Sequence, residues 1–124
     1  MKLDKDLVRD VLLALETDKG DPRALKDIEI PGFTREQVSY TIQKLTEGGM
    51  VQAHNLSDLI EYEWRATSLT YEGHEFLDTI RDGKIWKETK RIANEAGVYT
   101  LHALMQTAKA VVKSELLKHG VHLP

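Results

Sequence analysis

Leu7, Val8, Val11, Leu12 and Leu15 recur at the three- and four-residue intervals that line one face of a helix. Asp4 stands just ahead of them as an N-cap, and Leu3 and Val8 are spaced for a hydrophobic staple, so the pattern predicts a helix over residues 5–17. The next stretch, DKGDPRAL, interrupts the period with Gly20 and Pro22 and reads as a loop with room for one short helical turn at 22–25. Ile28 and Ile30 then alternate with Asp27 and Glu29 before Pro31 and Gly32, which predicts a very short strand ended by a turn.

PGFTREQVSYTIQKLTEGGMV, residues 31–51, carries the clearest boundaries in the chain. Thr34 with Gln37 three residues on forms a capping box, Phe33 and Val38 can staple it, and Gly48 and Gly49 end the helix. Val38, Ile42 and Leu45 make its buried stripe, leaving Arg35, Ser39, Tyr40, Gln43 and Lys44 on or near the outer face.

Beyond it the period changes. Residues 50–54 read as a strand, 55–58 as a turn and 59–69 as a second strand, in which Ile60, Tyr62, Trp64 and Ala66 alternate with Glu61, Glu63, Arg65 and Thr67. Thr70 caps a following helix that turns Phe76, Leu77 and Ile80 inward and stops at Gly83. A helix over 85–96, stopped by Gly97, has Ile85, Trp86, Thr89, Ile92, Ala93 and Ala96 on its stripe. The last, over 101–118, is capped by Thr100, stopped by Gly120, and lines up Leu101, Leu104, Met105, Ala108, Val111, Val112 and Leu116. The fold class is mainly α with a small β-hairpin (α+β).

At 124 residues the chain is one ordinary domain, too short for a catalytic domain plus a regulatory one. With 41% hydrophobic and 30% charged residues, and no apolar run near the roughly 20 residues that span a bilayer, it reads as soluble, with no membrane partner. MKLDKDLVRD has no apolar segment ahead of a cleavage site, so the expected location is the cytoplasm. Zero cysteines exclude disulfides, thiolate catalysis, iron–sulfur clusters and every cysteine-containing zinc site. Charge is unevenly divided: residues 1–80 hold 9 Lys and Arg against 16 Asp and Glu, a net of −7, and residues 81–124 hold 8 against 4, a net of +4.

Helix, short strand, capped helix ending in glycine, then a hairpin feeding a helix is the order of a winged-helix domain. The pattern V-x-x-x-I-x-x-L-x-x-x-G-x-V, Val38 to Val51, resembles the recognition helix and first wing strand of that superfamily, and Leu69-Thr70-x-x-Gly73-x-x-Phe76-Leu77 resembles the way its members leave the wing. Thr70 would satisfy orphan backbone donors, Gly73 would permit close backbone packing, and Phe76 and Leu77 would return the helix to the core. M-K-x-D-x-D-L-V-R at the start, P-G-F-T-x-E-x-V-x-Y from Pro31, and L-T-x-E-G-H-E-F-L-D-x-I-R-D from Leu69, followed by Ile85-Trp86, together resemble a family of short bacterial and phage-borne proteins catalogued as a domain of unknown function. The resemblance implies a winged-helix-like fold and a mobile-element setting and brings no established activity; the order of elements itself divides the chain into a winged-helix-like domain over 1–82 and a helical extension over 83–124 packing on it as a single compact unit.

His74-Glu75 opens like the zinc-protease motif HExxH, but Asp78 occupies the position of the second histidine. His54, His102, His119 and His122 have no spacing that would complete a site, so no metal or cofactor is expected and His74 reads as a surface or interface residue. Glu72 and Glu75 suit a helix start more simply than they suit acid–base catalysis. There is no phosphate-cradling glycine loop and no nucleophile elbow, and the chain reads as non-enzymatic.

For duplex DNA the candidate contacts are Arg35, Ser39, Tyr40, Gln43 and Lys44 on the 35–47 helix and Arg65 on the wing. Glu36, Glu47, Asp58, Glu61 and Glu63 surround them and oppose a phosphate backbone, and the stretch before that helix has scarcely enough pattern for the first helix of a helix-turn-helix. Arg81, Lys84, Lys87, Lys90 and Arg91 form a second, basic region, with Lys84, Lys87 and Arg91 on one helical face that suits an acidic partner, nucleic acid or the acidic half of another copy. The stripe Leu101, Leu104, Met105, Ala108, Val111, Val112 and Leu116 either finishes the monomer core or pairs with a second copy, and a homodimer is expected. The sequence thus points to a DNA-binding transcriptional regulator of phage or mobile-element type, with a protein–protein interaction module on the same fold as the alternative.

Overall fold

α1 (Lys5–Thr17) begins at Asp4, whose carboxylate accepts the Leu7 N–H at 3.0 Å, and buries Leu7, Val8, Val11, Leu12 and Leu15. Each such side chain contributes about 1.5–3 kcal/mol by leaving water. The computed structural model describes residues 1–122. Among them are five helices and one antiparallel two-stranded hairpin, mainly α with a small β element.

The chain divides into two compact units, residues 1–77 and 78–124. In the first, no regular element follows α1 until α2 (Arg35–Glu47). The short strand expected at 28–30 is absent. The Lys26 N–H does donate to the Ala66 carbonyl at 2.9 Å, but the chain turns at Pro31, the Phe33 N–H reaching back to the Ile30 carbonyl at 3.2 Å across Gly32 at φ 87°. A segment that reverses so soon has no length for a ladder.

α2 starts with the capping box complete: Gln37 N–H donates to Thr34 Oγ1 at 3.1 Å and Thr34 N–H to Gln37 Oε1 at 2.8 Å. It ends where Gly49 takes a positive φ of 75° and the Met50 N–H returns to the Leu45 carbonyl at 2.8 Å. α2 packs against α1 and against both strands of the hairpin, and buries Val38, Ser39, Thr41, Ile42 and Leu45.

β1 (Val51–Asn55) pairs with β2 (Trp64–Leu69), Val51 opposite Leu69 and Asn55 opposite Trp64. The register shifts between Gln52 and Ala53, whose partners are Ser68 and Ala66, so Thr67 is bulged out of the ladder. Ala66 and Thr67 are consequently both buried, and the Thr67 hydroxyl donates to the Gln52 carbonyl at 3.2 Å. The second strand was expected from residue 59; it begins five residues later. Asp58 Oδ1 accepts the N–H groups of Ile60 at 2.8 Å and Glu61 at 2.7 Å, and Asn55 Oδ1 accepts that of Ser57 at 2.9 Å. These side chains take the donors that a ladder would need and make residues 56–63 a structured loop.

α3 (Tyr71–Ile80) is capped by Thr70, which accepts the Gly73 N–H at 3.1 Å and donates to the Gly49 carbonyl at 2.6 Å. Phe76 and Leu77 complete the core of the first unit.

In the second unit Asp82 caps α4 (Gly83–Glu95), accepting from Lys84 N–H at 2.9 Å and Ile85 N–H at 3.0 Å. Gly83 therefore opens a helix rather than only stopping one, because the aspartate before it supplies the stronger signal. α5 (Leu101–Lys118) is capped by Thr100 and packs against α4. Trp86, Thr89 and Ala93 of α4, and Leu104, Ala108 and Val111 of α5, are the buried positions.

Candidate functional site

Four of the six residues expected to meet DNA are tied to carboxylates of the same unit. Arg35 donates to Glu63 at 2.9 Å and lies 3.5 Å from Asp27, and Arg65 donates to the same Glu63 oxygen at 3.1 Å. Hydrogen bonds from Arg65 and then Arg35 hold the Glu63 carboxyl below its usual range. Lys44 pairs with Glu47 at 2.9 Å and stands 5.4 Å from the centre of the Tyr40 ring, so Tyr40 is engaged as well. Gln43 donates to Glu47 at 3.1 Å and accepts from the Tyr62 hydroxyl.

Ser39 does not face outward. It is 5% exposed, and its hydroxyl accepts the Trp64 N–H at 3.1 Å. The helical period put it beside Tyr40 and Gln43, but the start of β2 covers that side of α2. Arg35, Glu36 and Glu47 are the exposed residues of α2; the rest are buried or half-buried. The structure thus brings Arg35, Arg65, Tyr40, Gln43 and Lys44 together with the hairpin and excludes Ser39.

The loop at 56–63 presents what sequence reasoning missed. Leu59 and Ile60 are 105% and 93% exposed, side by side, between Asp58 and Glu61. They are held there: besides the two bonds to Asp58 Oδ1, the Asp58 N–H donates to the Glu61 carbonyl at 2.9 Å, the Leu56 N–H to the Glu63 carbonyl at 2.8 Å, and the Glu63 N–H to Ser57 Oγ at 2.8 Å. The Glu61 and Ile60 amides hold the Asp58 carboxyl below its usual range. Asn55, Ser57 and Asp58 were the available signal, turn-formers inside an alternation that otherwise runs on through Ile60 and Tyr62.

His74 is exposed on α3, and Asp78 four residues on pairs with Arg81 at 2.6 Å. Among the described residues no three His, Asp or Glu side chains come together as a set of metal ligands.

Within the second unit the basic residues separate into engaged and open groups. Arg81 is paired with Asp78, Lys90 lies 5.8 Å from the Trp86 ring centre, and Arg91 bridges Glu88 and Glu95, its Nη1 3.0 Å from Glu95, which raises its already high pKa. Lys84 and Lys87 are exposed and make no ion pair among the described residues. Both border a groove between α4 and α5 with two lobes of about 400 and about 460 Å³. Leu104, Ala108 and Val111 are buried within the single chain, while Leu101, Met105, Val112 and Leu116 are half-buried. Leu104 and Val111 are thus accounted for within one chain, while Leu101, Met105, Val112 and Leu116 keep a partly exposed edge.

A model of the hypothetical-protein family DUF2513 matches residues 2–99. The chain belongs to this family. An uncharacterized protein of Haemophilus influenzae is 34% identical over 117 residues, covering 94% of this chain and 99% of its own length. No solved structure matches. The DUF2513 match takes in the α2 face, the hairpin loop and α4, and ends before α5. No described helix of this DUF2513 member is long and apolar enough to cross a membrane.

Proposed function

We propose that this DUF2513 protein is a non-enzymatic interaction module that docks on another protein through its hairpin loop. The observation that carries this reading is the pair Leu59 and Ile60, fully exposed on a loop whose own hydrogen bonds fix it. An aliphatic pair on a preorganised loop loses little entropy on binding and suits an apolar recess. Asp58 and Glu61 beside it favour a recess bordered by lysine or arginine and disfavour a phosphate backbone. A partner held in this way would be regulated or inhibited by occupancy alone. The test is affinity capture from nuclease-treated extract with the wild-type chain and the L59D/I60D variant. A protein other than this chain retained in stoichiometric amount by the first and not by the second supports the reading; equal retention of that protein by both overturns it.

A second reading, a winged-helix-like DNA-binding transcriptional regulator of phage or mobile-element type, is favoured by the order α1, α2, hairpin, α3 and by the weakness of exposed ion pairs. Pairs such as Lys44–Glu47 are worth about 0–1 kcal/mol, so a phosphate could displace the glutamate. On that reading duplex from the protein's own locus binds at low salt and is weakened in R35A/Q43A/K44A. On the docking reading no shift is seen.

A further inference from the structure

We propose that the groove between α4 and α5 of one chain receives the hairpin loop of a second copy, joining copies head to tail. This deepens the docking reading and rests on it: the loop needs an apolar recess with a basic border, and the chain carries one.

Ile85 and Val111 lie in one lobe of the groove, Ile92 and Ala110 in the other, and the lobes join at Val111, Glu88, Glu115 and Lys118. Lobes of about 400 and about 460 Å³ are of the size that takes a small ligand or a pair of aliphatic side chains. The charges at the border are unequal in availability. Glu88 is occupied by Arg91, and Glu115 by Lys118 at 3.1 Å. Lys118, with a weaker contribution from Lys84, holds the Glu115 carboxyl below its usual range. Lys84 and Lys87 remain exposed without an ion pair among the described residues. On the loop the order is reversed: Asp58 and Glu61 stand exposed on either side of Leu59 and Ile60. The aliphatic pair meets Ile85 and Val111 in the lobe that the two lysines line, and those lysines meet two exposed carboxylates, of which Asp58 keeps its loop amides on Oδ1.

The charge of the whole chain favours the same pairing. Residues 1–80 carry a net of −7 and residues 81–124 a net of +4, so a second copy is drawn loop to groove and repelled loop to loop. The contact is heterologous: each chain offers a loop and a groove, so association continues beyond a pair unless rotation closes a ring.

The test is sedimentation of the full chain over a range of concentrations at low and moderate salt. The wild type is expected to self-associate, less strongly as salt rises. L59D/I60D and K84E/K87E change only exposed side chains, and circular dichroism checks that each folds. Each variant alone is expected to weaken self-association by about tenfold or more. Mixed in equal amounts they are expected to form a one-to-one dimer that stops there, because the groove variant keeps a loop and the loop variant keeps a groove. A wild type that stays monomeric at every concentration, variants that associate like the wild type, or a mixture that stays monomeric would each overturn the proposal. A monomeric wild type that still captures another protein through Leu59 and Ile60 overturns the homotypic partner and leaves the docking reading standing.

Discussion

Gly73 passes so close to Met50 that a β-carbon on the glycine would stand 1.9 Å from the Met50 carbonyl oxygen. The same oxygen accepts the Thr70 N–H at 3.0 Å, so the start of α3 is locked to the end of the α2 turn by one backbone group. G73A is therefore expected to destabilise the protein by about 3 kcal/mol, since backbone must move on both sides of the contact. Gly83 is the control. It lies in the first turn of α4, where a β-carbon would meet no described atom within 4 Å beyond its chain neighbours and the helix's own backbone, and G83A should be neutral or stabilising by less than about 1 kcal/mol. Urea unfolding of the two variants reads both values.

Ser39 is a structural link between α2 and the hairpin. S39A removes the acceptor of the Trp64 N–H and is expected to cost about 1–3 kcal/mol. A residue that only contacted DNA would leave stability unchanged on the same substitution, and thermal unfolding without any ligand separates the two.

Leu59 and Ile60 bury nothing within the chain. L59S/I60S is expected to shift stability by less than about 0.5 kcal/mol, as surface changes do, while F76A costs about 3–5 kcal/mol. A large loss in the loop variant would assign these side chains to the fold.

Acid should open the loop before it unfolds the core. The folded pKa of Asp58 lies below its unfolded value of about 3.9, because the Glu61 and Ile60 amides favour the carboxylate. Its contribution is fully present above that value and is lost as pH falls through the lowered folded one. Glu63 behaves likewise below its unfolded value of about 4.3, through Arg65 and then Arg35. Amide resonances of Ile60 and Glu61 followed by NMR should therefore titrate with a midpoint below pH 4, and D58N should abolish that step.

The helices were legible because their boundaries are local chemistry. Asp4, Thr34 with Gln37, Thr70 and Thr100 each sit within three residues of the donor they satisfy, and each makes the bond its position implies. Gly73 was legible as a close approach for a similar reason. What failed was non-local or competed with the period. The alternation through Ile60 and Tyr62 continued past Asp58, where the backbone donors were already taken. The bulge at Thr67 turned two neighbours inward, which no period-two reading allows. Ser39 was placed on or near the outer face because nothing in the helical period reveals that β2 lies across it. Arg35, Arg65 and Lys44 were legible as candidate contacts with Glu47 and Glu63 among the acidic residues around them; that Arg35 and Arg65 share one Glu63 oxygen comes from packing that the sequence does not show.

The most direct measurement is the protein retained from nuclease-treated extract by the immobilised wild-type chain and by L59D/I60D, scored for stoichiometry. Loop docking predicts a protein other than this chain held in stoichiometric amount by the wild type and lost with the variant, whereas a second copy would still be held by the variant through its own groove. Equal retention of such a protein by both, or retention that disappears with nuclease treatment while duplex DNA is bound through Arg35, Gln43 and Lys44, would contradict it.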